Sequence, residues 1–375
     1  INHLYDLEHK NQPKDNKDGC VDFNDTGLIT NILKDNVIFA IVKPVDPVDG
    51  TDVYGQPVKG QKAPELKIPK GNNTYVSDDG LSLCAQNKGN LRLENDLYIV
   101  DEVIIINGDV DISTGDIDFV GKVEVRGNIL EGYSVKCVGD ITVSGMVEGA
   151  TIETKGNAEI RGGITGMDCA KIQCKGDLKT KFIESATVIV NGNIDTEYIL
   201  NSNVSCNGEL KAMGRKGVII GGNCTALQLI ETKSIGNDNG SKTNVTVGIT
   251  TEIIEKRKHL IAELSNCEEE QNKHIKDLQY LTFKMQMGDL SPDRQRLLKC
   301  LKARLPLLGA KKKMLIAEQN KIQDTLDEGQ KSKIVCHGDV FSGVVISIAS
   351  SSMNISHAIP RGTFMLIDGE IKIMQ

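Results

Sequence analysis

The sequence contains no Trp, and aromatic residues make up only 4% of its 375 positions. That shortage excludes a thick core built on large rings. There is no run of about 18 apolar residues, so no membrane insertion is expected. There is no C-x-x-C pair among the ten cysteines, so the ligand spacing of a zinc site is missing. Nor is there an excess of base: 44 Lys and Arg stand against 51 Asp and Glu, a net charge of -7. A general nucleic-acid or anionic-membrane binder would carry the opposite balance. The chain opens at Ile1 without Met and without a signal-peptide pattern, as expected of a piece of a longer cytoplasmic protein.

What the chain does have is glycine, 37 residues of it, and a phrase that returns. Val123-x-Val125-x-Gly127-Asn128-Ile129 is one copy and Val135-x-Cys137-x-Gly139-Asp140-Ile141 another. Further copies centre on Gly156-Asn157, Gly176-Asp177, Gly192-Asn193 and Gly208-Glu209. The phrase comes back once more, far downstream, as Ile334-x-Cys336-x-Gly338-Asp339-Val340. Alternating apolar positions predict strands, and the Gly-Asp or Gly-Asn pair predicts a tight corner. From Gly176 to Gly192 to Gly208 the interval is 16 residues each time; elsewhere it runs from 12 to 20. These intervals fit a right-handed parallel β-helix whose rungs stack at about 4.8 Å. Cys137, Cys174, Cys206 and Cys336 then stand at inward strand positions as small buried side chains, in a reducing compartment. The residue after each corner Gly alternates between acid and amide, Asp109, Asn128, Asp140, Asn157, Asp177, Asn193, Glu209 and Asn223. Stacked in one column, such a series would avoid the like-charge repulsion of a pure Asp ladder.

From about Thr251 the period changes to that of a helix. Ile254, Ile261, Leu264, Ile275, Leu278 and Met285 form one stripe, and Leu298, Leu301, Leu305, Leu308, Leu315 and Ile322 a second. Between them "MGDLSPD" breaks the pattern, with Ser291 as cap and Pro292 at the first helical position. Pro306 is expected to kink the second helix. Two helices of about 36 residues joined by a short loop make an antiparallel coiled-coil hairpin roughly 50 Å long. The late copy of the phrase is then the next rung after an insertion. Residues 1–100, with "VIFAIVKPVDPVDGTDVYGQPVKG" and an Asp79-Gly80 hairpin, read as a small all-β module. The expected organisation is the module (1–100), β-helix (101–250), hairpin (251–331), then a return to the β-helix with a C-terminal cap (332–375).

Three groups offer candidate binding surface. "GDVDISTGD" brings together Asp109, Asp111, Ser113, Thr114, Asp116 and Asp118. Several hard oxygens would suit Ca²⁺, but the same residues build Asx and Ser/Thr turns, and the corner network is the reading adopted. "GRKGVIIGG" places Arg215 and Lys216 between glycines, as an anion-binding turn would; no Gly-Lys-Ser/Thr follows, and a solenoid turn is expected. Lys302, Arg304 and the run Lys311-Lys312-Lys313 lie on the second helix, either a solvated face or a dock for an acidic partner. The six histidines are scattered, and no catalytic residue, metal ligand or cofactor site is assigned.

Several phrases carry a family likeness: "DGTDVYGQPV", "DDGLSLCA", "GDVDISTGDIDFVGKVEVRGNI", "VEGATIETKGNAEIRGGITG", "KFIESATVIVNGNIDTEYILNSNV", "GRKGVIIGG", "ETKSIG" and the closing "DGEI". Through them the chain resembles the flagellar assembly protein A family over nearly its whole length. The resemblance implies a bacterial cytoplasmic β-helix protein with a helical arm, tied to flagellar assembly or cell-pole organisation. It also implies an N-terminal portion lying upstream of this sequence. The reading that follows is a non-enzymatic scaffold, a homodimer or small homo-oligomer with protein partners of unknown identity and without nucleic acid. Two alternatives are a bactofilin-like polymer built by end-to-end rung stacking, and a β-helix carbohydrate-active enzyme using surface Asp residues. The distinct end segments argue against the first; the few aromatics argue against the second.

Overall fold

The computed structural model describes residues 27–41, 46–60, 62, 67–287 and 291–374, together with Tyr5, Leu7 and three two-residue strands before them. Residues 288–290 of the expected interhelical loop, 42–45 of the Pro-rich segment, and His9 lie outside the described residues. The fold is mainly β, a parallel β-solenoid interrupted by two helices, with further strands at the N-terminal end. The chain packs as two compact units, 1–204 and 205–375, and their dividing point falls inside the expected 101–250 segment.

In the first unit, strands Val37–Ala40, Ser82–Ala85 and Thr74–Val76 pair antiparallel, and so do Gly89–Glu94 and Leu97–Asp101. Gly80 takes the positive φ of the predicted Asp-Gly turn. The second hairpin turns on Asn95 and Asp96, both at positive φ, the pair that a two-residue turn of matching twist requires. Ile32, Ile38, Phe39, Leu83, Leu91, Tyr98 and Val100 make the core of this part.

The solenoid begins at Val103–Ile106 and climbs by parallel pairing. One face stacks Ile104, Val123, Ile141, Ala158, Leu178 and Ile194 in register, all buried. A second face stacks Val135, Ile152, Ile172 and Val188. A third, shorter face holds Met146–Glu148, Gly163–Thr165 and Phe182–Glu184. Outward positions between the buried ones carry charge, as in Lys136 opposite Glu153. The lowest strand of the second face, Ile117–Phe119, would otherwise present an open edge. Asn31 covers it: its Nδ2 donates to the Asp118 carbonyl (2.8 Å) and its Oδ1 accepts from Val120 N–H (3.1 Å). The amide side chain stands in for a paired backbone.

The corners are not what the repeat alone implies. Gly127-Asn128 and Gly139-Asp140 do not follow one another up a single column; they follow strands of different faces. The predicted alternating ladder therefore splits. Asp109, Asn128 and Met146 share one column, where Asn128 N–H donates to Asp109 Oδ1 (2.6 Å) and Met146 N–H to Asn128 Oδ1 (2.8 Å). Asp140, Asn157, Asp177 and Asn193 share another, with links of 2.7, 2.9 and 2.7 Å. Asn223 sits in mid-strand and pairs with Asn244 instead. Alternation of acid and amide survives within the four-residue column, where Asn193 Nδ2 also donates to Asp177 Oδ1.

These glycines are also not chosen for left-handed backbone: none of Gly127, Gly145, Gly156, Gly176 or Gly192 has positive φ. They are chosen for room. A Cβ on Gly192 would lie 2.3 Å from Asp177 Oδ1, and one on Gly176 2.2 Å from Asn157 Oδ1. The carboxylate or amide oxygen of one rung occupies the space that the next rung's side chain would need.

In the second unit, Glu209–Ala212, Leu229–Thr232 and Lys333–Cys336 pair parallel, as do Gly222–Ala226, Thr243–Val247 and Val344–Ile348. Ile230 faces Ile334, so the returning phrase takes the next rung position although the two helices intervene. Pairing then turns antiparallel. Ser351–Asn354 covers Val344–Ile348, Gly362–Ile367 covers Lys333–Cys336, and Glu370–Met374 closes the end.

Gly192→Ala is expected to lower solenoid stability by about 1–3 kcal/mol through overpacking. Asp177→Ala orphans Asn193 N–H and lowers it less. The double variant should lose somewhat less than the sum, because the closest contact, Asp177 Oδ1, is gone while the Gly176 carbonyl at 2.7 Å still crowds the new methyl. Denaturant midpoints of the four proteins test this; strict additivity would refute the shared-space account.

Candidate functional site

The acidic stretch forms the first corner network. Asp111 Oδ1 accepts from Ser113 N–H (2.8 Å) and Ser113 Oγ (2.6 Å), and Thr114 Oγ1 donates to the Asp109 carbonyl. Asp109 Oδ1 receives Asn128 N–H, and Asp116 Oδ1 receives Ser134 N–H at 2.7 Å. The Ser113 hydroxyl, then its N–H, hold Asp111 below the usual carboxylate range. Each carboxylate thus stabilises backbone of its own turn or of the next rung. Among the described residues no group of three or more His, Cys, Asp or Glu is placed to hold a metal ion.

Arg215 and Lys216 lie exposed in the turn between Glu209–Ala212 and Val218–Ala226. Gly217, at φ +61°, ends that turn, and its carbonyl accepts from Thr232 Oγ1, Lys233 N–H and Ser234 N–H. No helix follows, so no helix N-terminus stands ready for an anion.

Helix α1 spans Thr251–Gln286 and α2 spans Pro292–Gly329. Thr250 caps α1 by accepting from Ile253 N–H; Ser291 makes no side-chain cap bond, but Pro292 occupies the first helical position. Partners run in opposite directions: Lys256 pairs with Glu318 (3.0 Å), Glu268 with Lys312 (3.0 Å) and Glu270 with Arg304 (2.5 Å). Two apolar clusters fill the interface. One joins Leu260 and Cys267 to Leu308, Leu315 and Ile322; the other joins Leu281 to Leu298 and Leu301. Between the clusters His274 turns inward, with Nε2 3.7 Å from Glu270 Oε1 and neither ring nitrogen hydrogen-bonded. Such a polar break in an apolar seam favours one register over others. At the base, Gly248 and Gly329 touch: a Cβ on either would come within 2.2 Å of the other's carbonyl oxygen.

The α2 stripe lies where its spacing predicts, with Leu298, Leu301, Leu308, Leu315 and Ile322 buried. The α1 stripe holds in part: Leu264 and Leu278 pack against the two clusters, but the rest of it is out of phase. Ile254, Ile261 and Met285 are exposed, and Ile253, Leu260, Cys267 and Leu281 face inward instead. Arg304 and Lys312, read as part of a solvated face or of an acidic dock, are engaged by α1 carboxylates; Lys302 remains exposed.

The geometry of solenoid, inserted hairpin and antiparallel end can now be set beside known families. The model of the Flagellar Assembly Protein A beta solenoid domain matches residues 102–371. That of the Flagellar Assembly Protein A N-terminal region matches residues 1–96. The chain belongs to the flagellar assembly protein A family. Residues 1–96 therefore belong to the family's N-terminal region. No curated protein matches the chain, and no solved structure does.

Among the described residues of this flagellar assembly protein A family member, no helix is long and apolar enough to cross a membrane. Every described cysteine is a free thiol. One solenoid column reads Cys137, Thr154, Cys174, Val190 in register. Thr154 Oγ1 donates to the Gly139 carbonyl (2.6 Å), and the Cys174 thiol to that of Gly156 (3.1 Å). These thiols are therefore weak donors to corner carbonyls as well as small buried groups, a role that strand alternation does not reveal. Burial pushes Cys174 up to about 11, and Cys206 and Cys224 up to about 12.

Two outcomes are expected from these thiols. Iodoacetamide at neutral pH should modify the exposed Cys169 and Cys300 and spare the buried thiols until the chain unfolds. The sign of the pH effect follows from the raised values. The fold accommodates the thiol and not the thiolate, so this stability is complete below the free value of 9.0 and is lost as pH climbs toward about 11–12. Replacing Cys174 by Val, as Val190 already stands in that column, should flatten the alkaline fall of the melting temperature; an unchanged slope would refute the assignment.

Proposed function

We propose that this flagellar assembly protein A family member is a non-enzymatic cytoplasmic scaffold. It forms a homodimer or small homo-oligomer and acts in flagellar assembly or cell-pole organisation through protein contacts. The hairpin and the N-terminal strands are the contact elements. The observation that carries this reading is the register of Lys333–Cys336 on Leu229–Thr232 across the insertion. The solenoid completes its stacking without help from the helices, so the hairpin is an addition whose use lies elsewhere. Its Ile261, Tyr280, Phe283, Leu307 and Met314 are apolar side chains that stand exposed.

Further support comes from the corner carboxylates. Asp109, Asp111 and Asp116 each hold a backbone N–H through Oδ1, a structural use that weighs against the carbohydrate-active alternative. The antiparallel strands that close the second unit likewise work against end-to-end stacking.

Replacing residues 251–331 by a short Gly/Ser linker tests the reading. The expected product keeps the β circular-dichroism signal and cooperative melting, has a lower mass by light scattering than the intact chain, and fails to support normal flagellation in the source strain. Normal flagellation and normal placement of polar proteins with the shortened chain would overturn the scaffold role of the hairpin.

A further inference from the structure

The hairpin uses one seam of α2 internally, yet α2 carries a second. Cys300, Ala303, Leu307, Ala310, Met314 and Ala317 follow one another at alternating intervals of three and four residues. That is the spacing of a coiled-coil seam, and it falls on the side of the helix away from Leu301, Leu308 and Leu315. All six residues are exposed; Leu307 is 69% and Met314 74% accessible. The seam runs about 26 Å at 1.5 Å per residue. A helix that needed only to be wetted on this side would not keep six consecutive seam positions free of charge while setting lysines immediately beside them.

We propose that this outer seam docks an amphipathic α-helix with acidic borders, contributed by a different protein. The inference rests on the scaffold reading and names the chemistry of its partner. Two features choose the occupant. First, Ala303, Ala310 and Ala317 alternate with the larger Cys300, Leu307 and Met314, leaving holes between knobs that let a partner helix approach closely. A lipid surface gains nothing from such holes and is better met by an unbroken bulky face with aromatic groups; every second seam position is Ala and none is aromatic. Second, the seam is bordered by Lys299 and Lys313 on one side and by Arg304 and Lys311 on the other. The one anion on these borders, Glu318, is already paired with Lys256, as Arg304 is with Glu270. Lys299, Lys311 and Lys313 are exposed and have no ion-pair partner among the described residues. Two copies of this face would set cation against cation, whereas Glu or Asp at a partner's borders would satisfy it.

The probe is a fluorescent synthetic helix of about four heptads, with Leu and Ala at the seam positions and Glu at the borders, which repels itself and stays monomeric. A Lys-bordered peptide is the control. By anisotropy the intact chain should bind the Glu peptide and not the Lys peptide, and added salt should weaken the complex. Leu307→Glu with Met314→Glu should weaken binding about a hundredfold. Ala303→Gln with Ala310→Gln, which keeps good helix formers, should also weaken it by closing the holes, and circular dichroism should find all variants as helical as the parent. The proposal is overturned if the Glu peptide does not bind, or if the variants bind it as tightly as the parent. It is also overturned if Leu307→Glu with Met314→Glu halves the protein's mass, which assigns the seam to a second copy. Seam-dependent binding to vesicles of phosphatidylcholine and phosphatidylglycerol would overturn it in favour of a membrane surface. Loss of flagellation on removing the hairpin, combined with an unbound peptide, would sink the seam assignment and leave the scaffold reading standing.

Discussion

The solenoid depends on a hydrogen bond between rungs that is made outside the strands. At the corners of two columns in the first unit an Asp or Asn oxygen accepts the N–H of the equivalent residue one rung on, as Asp177 does for Asn193. Corners interrupt a strand ladder, and their backbone N–H groups would be orphaned beneath the next turn without such a partner. The oxygen reaches that N–H only through the space beside a glycine, and this makes Gly-Asp and Gly-Asn a unit in which each half serves a neighbouring rung. The same constraint accounts for the composition. Glycine is needed once per corner, large rings have no place in a thin interior, and Cys, Thr and Val exchange at the strand end because each fits under a corner carbonyl.

Much of this was legible in the sequence, and the failures have particular causes. The period-two runs marked strands wherever they occurred, because a strand with one buried face must alternate. Corner assignment failed between Gly127 and Gly139 because Gly-polar pairs close two different faces, and one-dimensional spacing does not say which face a strand belongs to. The role given to the corner glycines failed for a similar reason: the atom that forbids a side chain belongs to the rung below, 15 to 20 residues away in the sequence. In α1 the phase was lost where apolar residues come in adjacent pairs. Ile253-Ile254 and Leu260-Ile261 offer two stripes about 100° apart, and the first of each pair wins because it meets α2. The candidate cations of α2 were correctly located on a helix, but which of them α1 would engage depended on that same phase.

The site was less legible than the fold, because a contact surface has no motif. Arg304 and Lys312 stood out as charges and turned out to pair across the hairpin with α1 carboxylates. Ala303, Ala310 and Ala317 did not stand out at all, since alanine in a helix is ordinary. Their regularity has meaning only once the inner stripe of α2 is fixed by its partner and the remaining apolar positions are seen to form a second one. A helix in an isolated hairpin needs one apolar stripe; the second stripe is what the proposed partner helix would cover.

The insertion itself is inexpensive for a reason that bears on function. A long unstructured loop between Thr243–Val247 and Lys333–Cys336 would add closure entropy to the folding of every rung above it. An antiparallel hairpin removes that cost by bringing its own ends together, and Gly248 against Gly329 sets the ends at backbone contact. Rung stacking can then proceed as in an uninterrupted solenoid, with Ile334 on Ile230. The outer surface of the hairpin is correspondingly released from any duty to the fold. Residues facing α1 and the two basal glycines are constrained by packing, while Leu307, Met314, Lys311 and Lys313 stand exposed, the lysines without an ion pair among the described residues. Apolar groups held in water at that many successive turns lower solubility and do not raise stability. A bound partner helix, as proposed, would account for their presence.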